Sequence, residues 1–144
     1  MSQDVPEWVV DFVEEWKSIL RLEGWTIRVI STRLDNCYGL CLAQSVIHSA
    51  VIKIDFDEIE EHNQDPKAVL LHELVHIVFC PIQDYQDMIM SKNKKLKNSL
   101  ILFDNALEQV VDRTTKALMV MYEVMEVHQA LSEDEEVEDV EGIN

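Results

Sequence analysis

Glycine, proline and cysteine are all scarce in this chain, which has three of each among 144 residues. So few turn-forming residues argue against an all-β fold, because such folds need many tight turns. Three cysteines favour reduced thiols over a framework of disulfide bonds. No apolar run approaches the roughly 18 residues that span a membrane, and the N-terminus lacks the basic and apolar segments of a secretory signal. We therefore predict a cytoplasmic protein with no membrane partner.

Basic residues are also few, since 12 Lys and Arg stand against 28 Asp and Glu, for a formal net charge of -16. The acidity is concentrated at the C-terminus, where residues 132–144 include seven acidic residues and no basic one. We predict that this segment is a disordered acidic tail and that residues 1–131 form a single domain. A surface of this sign repels phosphate backbones, so we expect no nucleic-acid partner.

Hydrophobic periodicity predicts an α+β fold in which helices pack around a small sheet. Apolar residues at three- and four-residue steps predict an N-terminal helix at Pro6–Leu22, with Gly24 as its left-handed cap. Alternating apolar residues then predict three strands, Trp25–Arg33, Tyr38–Ser45 and Ala50–Phe56. We take the last of these strands as an exposed edge that an extended peptide could join.

Two more helices are predicted in the second half of the chain. Asp65-Pro66 is typical of an N-cap followed by the first helical position. The segment Lys67–Cys80 is apolar on nearly every side, which indicates a buried helix that Pro81 would end. After a connection with four lysines, Lys97–Ala130 has the pattern of a long helix with one broad apolar face.

The buried helix contains a polar motif, His72-Glu73-Leu74-Val75-His76. Histidines four residues apart lie on one helical face, so their two imidazoles can converge on one cation. The glutamate next to the first histidine can act as a general base towards a water on that cation. Burial of three polar groups in an apolar helix is costly unless they have partners. The motif therefore indicates a metal site rather than a solvated face.

A zinc site needs a third protein ligand, and the long helix offers a row of acids at four-residue intervals, Asp104, Glu108 and Asp112. Like charges in this register repel by about 0.2–0.5 kcal/mol per pair. The row of acids is better explained if one carboxylate binds a cation and another accepts a hydrogen bond from an imidazole N–H. Glu108 borders the apolar face, whereas Asp104 is more simply a solvated residue. Cys80, one turn beyond His76, stays open as an alternative ligand.

This combination, His72-Glu73-x-x-His76 followed by Glu108-x-x-x-Asp112, resembles the gluzincin clan of zinc metallopeptidases. The chain is similar to the minimal members of that clan, and small proteins like this are often encoded by phages or mobile elements. The resemblance implies a zincin-like fold, with an N-terminal helix, a small three-stranded twisted sheet, a buried histidine helix and a long C-terminal glutamate helix. It also implies one Zn²⁺ ion held by His72, His76 and Glu108, with Asp112 orienting a ligand histidine.

The same resemblance implies an activity, the hydrolysis of peptide bonds in a peptide or protein substrate. A metal-bound water would attack the peptide carbonyl, and Glu73 would serve as the general base. The family also steadies the oxyanion with a His or Tyr, and three residues are candidates for this role, Tyr85, Tyr122 and His128.

Two other functions stay open at this point. In the first, zinc serves only to stabilise a non-catalytic binding protein, and Glu73 is idle. In the second, the strong negative charge makes the chain a mimic of nucleic acid that inhibits a partner by occupying its basic groove. A Glu73→Gln substitution separates the first alternative from an enzyme, and truncation at Ser132 tests the second.

Overall fold

The computed structural model describes the backbone of residues 5–91 and 97–138, with side chains at 5–89 and 99–132. Over these residues the fold is α+β, as predicted, with four α-helices and one mixed three-stranded sheet. The elements in chain order are α1 Trp8–Ile19, β1 Thr26–Ser31, β2 Gly39–Gln44, β3 Ser49–Ile54, α2 Phe56–Glu61, α3 Pro66–Ser91 and α4 Lys97–Glu138, with a 3₁₀ turn at Ser45–Ile47 between β2 and β3. Within the described residues, no helix combines the length and apolar character needed to cross a membrane.

The N-terminal helix α1 is amphipathic and buries the apolar face that its sequence predicts, formed by Val9, Phe12, Val13 and Trp16. It ends earlier than predicted. The residue with a left-handed backbone after it is Arg21, at φ 58°, and not Gly24. The Leu22 N–H still finds the carbonyl of Lys17, 2.7 Å away, so the chain turns without the conformational freedom of glycine.

The sheet has the strand order β1-β3-β2, in which β1 is parallel and β2 antiparallel to β3. The strand predicted as Ala50–Phe56 corresponds to β3 and is therefore central, so the prediction that it forms the edge is wrong. Its face towards the helices carries Ala50, Ile52 and Ile54, all buried. The exposed edge beside the histidine helix is β2, against which α3 packs.

Helix α2 is absent from the predicted elements because its sequence is mostly acidic, with Ile59 as its one buried residue. The sequence does carry one local indication of this helix, its N-cap residue Asp55, whose side chain accepts a hydrogen bond from the Glu58 N–H at 3.1 Å. The same carboxyl group also accepts the Leu34 N–H at 2.9 Å. Asp55 therefore ties the loop after β1 to the beginning of α2.

Helix α3 begins where it was predicted, with the Asp65 side chain accepting the Lys67 N–H at 2.9 Å and Pro66 at the first position. It does not end at Pro81, as predicted, but continues to Ser91. A proline inside a helix removes one hydrogen bond and costs about 3 kcal/mol. The extension is anchored by Asp84, which accepts hydrogen bonds from both the N–H and the hydroxyl of Ser45.

Helix α4 begins at Lys97, as predicted, and runs to Glu138, beyond the predicted end at Ala130. The first residues of the predicted acidic tail, 132–138, are therefore helical in their backbone, and residues 139–144 lie outside the described residues. Residues 92–96 of the predicted connection Ile82–Asn98, with three of its four lysines, also lie outside them, whereas residues 82–91 of that connection are helical as part of α3. Helix α4 packs against α3, and this pairing brings Glu108 to the histidine motif.

Candidate metal centre

The two histidines are positioned by the apolar faces of the helix that carries them. Leu70, Leu71, Leu74 and Ile77 of α3 are all fully buried, which fixes the rotation of the helix about its axis. That rotation directs His72 and His76 towards α4, with their side chains partly buried, 25% and 15% exposed. The apolar pattern of the helix therefore sets the direction of its polar motif.

Glu108 of α4 meets both imidazole rings. Its Oε2 lies 3.5 Å from His72 Nε2 and its Oε1 lies 3.2 Å from His76 Nε2. The two Nε2 atoms are 3.2 Å apart. The structure thus brings together the three predicted metal ligands, which come from two separate helices. The Glu108 side chain is 59% exposed, so the group opens onto solvent.

These spacings fit a single cation among the three side chains. Ligand atoms at 2.0–2.2 Å from a tetrahedral ion lie roughly 3.4 Å from one another. The donor atoms of His72, His76 and Glu108 all lie within 4.8 Å of one another, and this is the only such group among the described residues. Two imidazoles and a carboxylate suit several divalent transition metals, so the donor set is compatible with zinc without being specific to it.

Glu73 lies beside this group and is almost fully buried, at 6% exposure. Burial raises its pKa from the ordinary 4.5 to about 7, and the charge of Glu108 acts in the same direction. The N–H of Cys41 donates a hydrogen bond to Glu73, which lowers the pKa and only partly offsets the other two causes. A carboxyl group with a pKa near neutrality is suited to exchanging protons.

The raised pKa of Glu73 predicts a pH-dependent stability in the metal-free protein. A carboxyl group whose pKa is higher in the folded state stabilises the fold while it is protonated, and this contribution is lost as the pH rises through the folded pKa of about 7. We expect the unfolding free energy of the wild type relative to Glu73→Gln to fall by about 2 kcal/mol between about pH 5.5 and about pH 8. Urea titrations of both proteins with a chelator present measure this, and a constant difference would contradict it.

Gly39 is a site residue that the sequence analysis missed. A Cβ at this position would lie 2.6 Å from Glu73 Oε1 and 2.8 Å from its Cγ, so the glycine makes room for the carboxyl group against β2. Its backbone φ is not positive, so the requirement is for space rather than for conformation. A lone glycine inside a predicted strand often marks a close approach to the backbone, and this was the available signal.

Asp112, predicted to orient a ligand histidine, forms an ion pair with Lys116 of the same helix. Its Oδ2 accepts a hydrogen bond from Lys116 Nζ at 2.7 Å. This bond lowers the pKa of Asp112, and the nearby His72 contributes to the shift as a smaller cause. The role of Asp112 as a partner of a ligand histidine therefore stays a prediction.

Tyr122, a candidate for oxyanion stabilisation, belongs to the interface of α4 with α1. Its hydroxyl group donates a hydrogen bond to Glu15 at 3.2 Å, and its ring packs against Phe12 and Trp16 at 6.1 and 5.6 Å between centroids. It lies fourteen residues after Glu108 on one helix, a separation of about 21 Å along the axis. The structure therefore does not bring Tyr122 to the histidines.

The other two oxyanion candidates are also distant along their helices. His128 is exposed and lies twenty residues after Glu108 on α4, about 30 Å along the axis. Tyr85 is 61% exposed on the extension of α3, about 13 Å beyond His76 along the axis. The structure therefore does not bring either residue to the histidine pair, and neither lines the cleft in which the histidines lie.

Cys80 is buried, and its thiol donates to Asp84 Oδ2 at 3.7 Å. Burial raises its pKa, and Asp84 raises it further. It is not one of the three grouped donors, so the alternative in which Cys80 ligates the metal has no support from this geometry. Cys37, Cys41 and Cys80 are all free, which confirms the prediction of unpaired thiols.

The histidine and glutamate group lies in a cleft of about 1300 Å³, bordered by β2, α3 and α4. Residues 39–43 of β2 form one wall, and Glu73, His72 and His76 lie on the α3 side. The buried Thr115 also lines this cleft, and no hydrogen-bond partner is present for its hydroxyl oxygen among the described residues. A cleft of this size can take a peptide segment beside an exposed strand.

Comparison with protein-family models, with curated proteins and with solved structures finds no match to this chain. The chemistry of the site therefore has to be inferred from its own residues.

Proposed function

We propose that this chain is a zinc-dependent metallopeptidase of the gluzincin type, built on a zincin-like domain. The observation that carries the proposal is the convergence of two imidazoles of α3 and the Glu108 carboxylate of α4, with Glu73 buried beside them. Two histidines and one acid are a frequent ligand set of catalytic zinc, because they leave one position for water or substrate. The exposure of Glu108 leaves the group accessible from the cleft.

A zinc ion held by His72, His76 and Glu108 would supply a Lewis acid that polarises a peptide carbonyl and acidifies water. Glu73 accepts the proton of the attacking water on a carboxylate oxygen, and then gives it to the nitrogen of the leaving amine. The pKa of about 7 belongs to the metal-free protein, and the charge of a zinc ion beside Glu73 would lower it, which favours the carboxylate form that accepts the proton. The hydrogen bond from Cys41 holds this carboxyl group in place.

The substrate would lie along the edge of β2. This strand pairs with β3 on one side only, and its other side borders the cleft. The Cys41 N–H points to that side, because it donates a hydrogen bond to Glu73. In an antiparallel ladder every second backbone N–H points the same way, so the N–H groups of Gly39 and Ala43 also point towards the cleft. An extended peptide could therefore add to β2 through main-chain hydrogen bonds.

Metal content tests the proposed ligands. We expect the wild-type protein, loaded with zinc and dialysed, to retain one zinc per chain by elemental analysis. His72→Ala and Glu108→Ala should each lose stoichiometric zinc, because two remaining ligands do not complete the site. Circular dichroism of each variant checks that the helices are retained.

Two matched substitutions serve as controls for this measurement. Asp104→Ala removes an exposed acid one turn from Glu108 on the same helix, and His128→Ala removes an exposed histidine of α4. Both should keep one zinc per chain. Stoichiometric zinc that survives both His72→Ala and Glu108→Ala would overturn the proposed site.

A further inference from the structure

The cleft around the metal centre is strongly acidic. Among the described residues, its lining contains eight acidic side chains against one lysine, Lys116, which already pairs with Asp112. The carboxylates are Glu58, Asp65, Glu73, Asp84, Asp87, Glu108, Asp112 and Glu123. Such a concentration of one charge attracts ligands of the opposite sign and repels those of the same sign.

Most of these carboxylates have partners within the protein. Asp84 binds Ser45, Asp65 caps α3, Glu58 lies 3.4 Å from His62, and Glu108 lies beside the two ligand histidines. Asp87 and Glu123 differ from them, since both are exposed and neither side chain forms a hydrogen bond or ion pair with another described residue. These two charges are available to a ligand.

Asp87 and Glu123 lie towards opposite ends of the cleft. Asp87 follows Asp84 by three residues on α3. Asp84 accepts a hydrogen bond from Ser45, which directly follows the end of β2. Glu123 lies on the part of α4 that reaches the N-terminal end of α3, where Lys67 and Glu126 are 3.9 Å apart. The metal centre lies between them along the helices, since by helical rise Asp87 is about 16 Å beyond His76 on α3 and Glu123 is about 22 Å beyond Glu108 on α4.

We propose that the cleft selects extended peptide segments with Lys or Arg on both sides of the cleaved bond, and that Asp87 and Glu123 are the residues that recognise these basic side chains. This inference rests on the proposed peptidase function and names its substrate class. Both acids lie far enough from the metal centre to contact flanking side chains rather than the cleaved bond itself. Their role is therefore in specificity and not in the chemical step.

The test compares three labelled peptides with one apolar centre and flanks of Lys, Gln or Glu. Binding to the zinc-loaded Glu73→Gln protein is followed by fluorescence anisotropy, and cleavage by the zinc-loaded wild type by mass spectrometry. We expect the Lys-flanked peptide to bind about five- to twentyfold more tightly than the Gln-flanked one at low ionic strength, and the Glu-flanked peptide to bind most weakly. Raising the salt concentration should reduce this preference.

Substitutions at the two ends of the cleft test whether Asp87 and Glu123 cause the preference for the Lys-flanked peptide. Asp87→Asn and Glu123→Gln should each lower the Lys preference about two- to fivefold, as expected for one exposed ion pair, and their effects should multiply because the sites are far apart. Asp104→Asn removes the same charge from α4 outside the cleft and should leave the preference unchanged. Elemental analysis should find one zinc per chain in all three variants.

The outcomes separate this inference from the proposed function. Equal binding of the three peptides, or a Lys preference that survives in the double variant, would overturn the substrate class even if the wild type cleaves peptides. A Lys preference that depends on Asp87 and Glu123, without any hydrolysis by zinc-loaded protein, would support the recognition but exclude the peptidase.

Discussion

Replacement of Glu73 by Gln is expected to reduce peptide hydrolysis by about 10²- to 10⁴-fold, while the protein keeps its fold and its zinc. Gln has nearly the same shape as Glu, so it can still fill the space beside Gly39 and accept the Cys41 N–H. It cannot accept a proton from water at neutral pH. The loss should therefore appear in kcat, with zinc content and the cooperative unfolding transition preserved.

The same variant distinguishes an enzyme from a metal-stabilised binding protein. If zinc only stabilises the fold, Glu73 has no chemical role and its replacement changes no activity that the wild type shows. Glu58→Gln is a suitable control, because Glu58 is a partly exposed carboxylate of the same cleft that lies beside His62. Hydrolysis by Glu73→Gln within tenfold of the wild-type rate would exclude Glu73 as the general base.

The local part of the fold could be predicted from the sequence because its causes are local. Asp65-Pro66 begins α3 as expected, since an N-cap and a fixed proline φ act within one turn. The two histidines share a helical face because they are four residues apart. The predicted end of α3 at Pro81 is wrong because the effect of proline is local, whereas the extension of the helix is held by a distant hydrogen bond, from the Ser45 N–H to Asp84.

The order of the strands could not be obtained in this way. Alternation identifies a strand and its buried face, but β1, β2 and β3 have similar patterns, and nothing local shows which of them is central. The structure places β3 between the other two, with Val29 and Cys41 both opposite Ile52. The substrate edge therefore moves from β3 to β2 in the functional proposal.

Helix α4 shows how far apolar periodicity can mislead. Of the described residues on the predicted broad face, only Leu107 and Val111 are buried, and Phe103 and Leu118 pack against the core while partly buried. Val124 and Met125 continue the same three- and four-residue spacing, yet they are 64% and 58% exposed. The spacing of acids on this helix favours Glu108 as a site residue, but the helix pairing that brings it to the histidines is a long-range property that the spacing cannot show.

Replacement of Gly39 by Ala is expected to reduce hydrolysis by about 10²-fold without loss of zinc. The new methyl group would lie 2.6 Å from Glu73 Oε1 and 2.9 Å from its Cδ, so the carboxyl group must move. The side chain is buried and held by the Cys41 N–H, and displacement of a catalytic group by about 1 Å can cost that much in rate. Overpacking should also lower the unfolding free energy by about 1–3 kcal/mol. The measurements are kcat/KM, zinc content and urea unfolding.

Gly24→Ala is the matched control, because a Cβ at this exposed glycine meets no atom within 4 Å. It should leave both kcat/KM and zinc content unchanged. The sharper comparison places Gly39→Ala in the Glu73→Gln background, where the methyl group has no catalytic carboxylate left to displace. The two substitutions should then be strongly non-additive, with little further loss of rate. Full additivity would mean that Gly39 acts independently of Glu73, for instance by shaping the edge of β2 on which the substrate is proposed to bind.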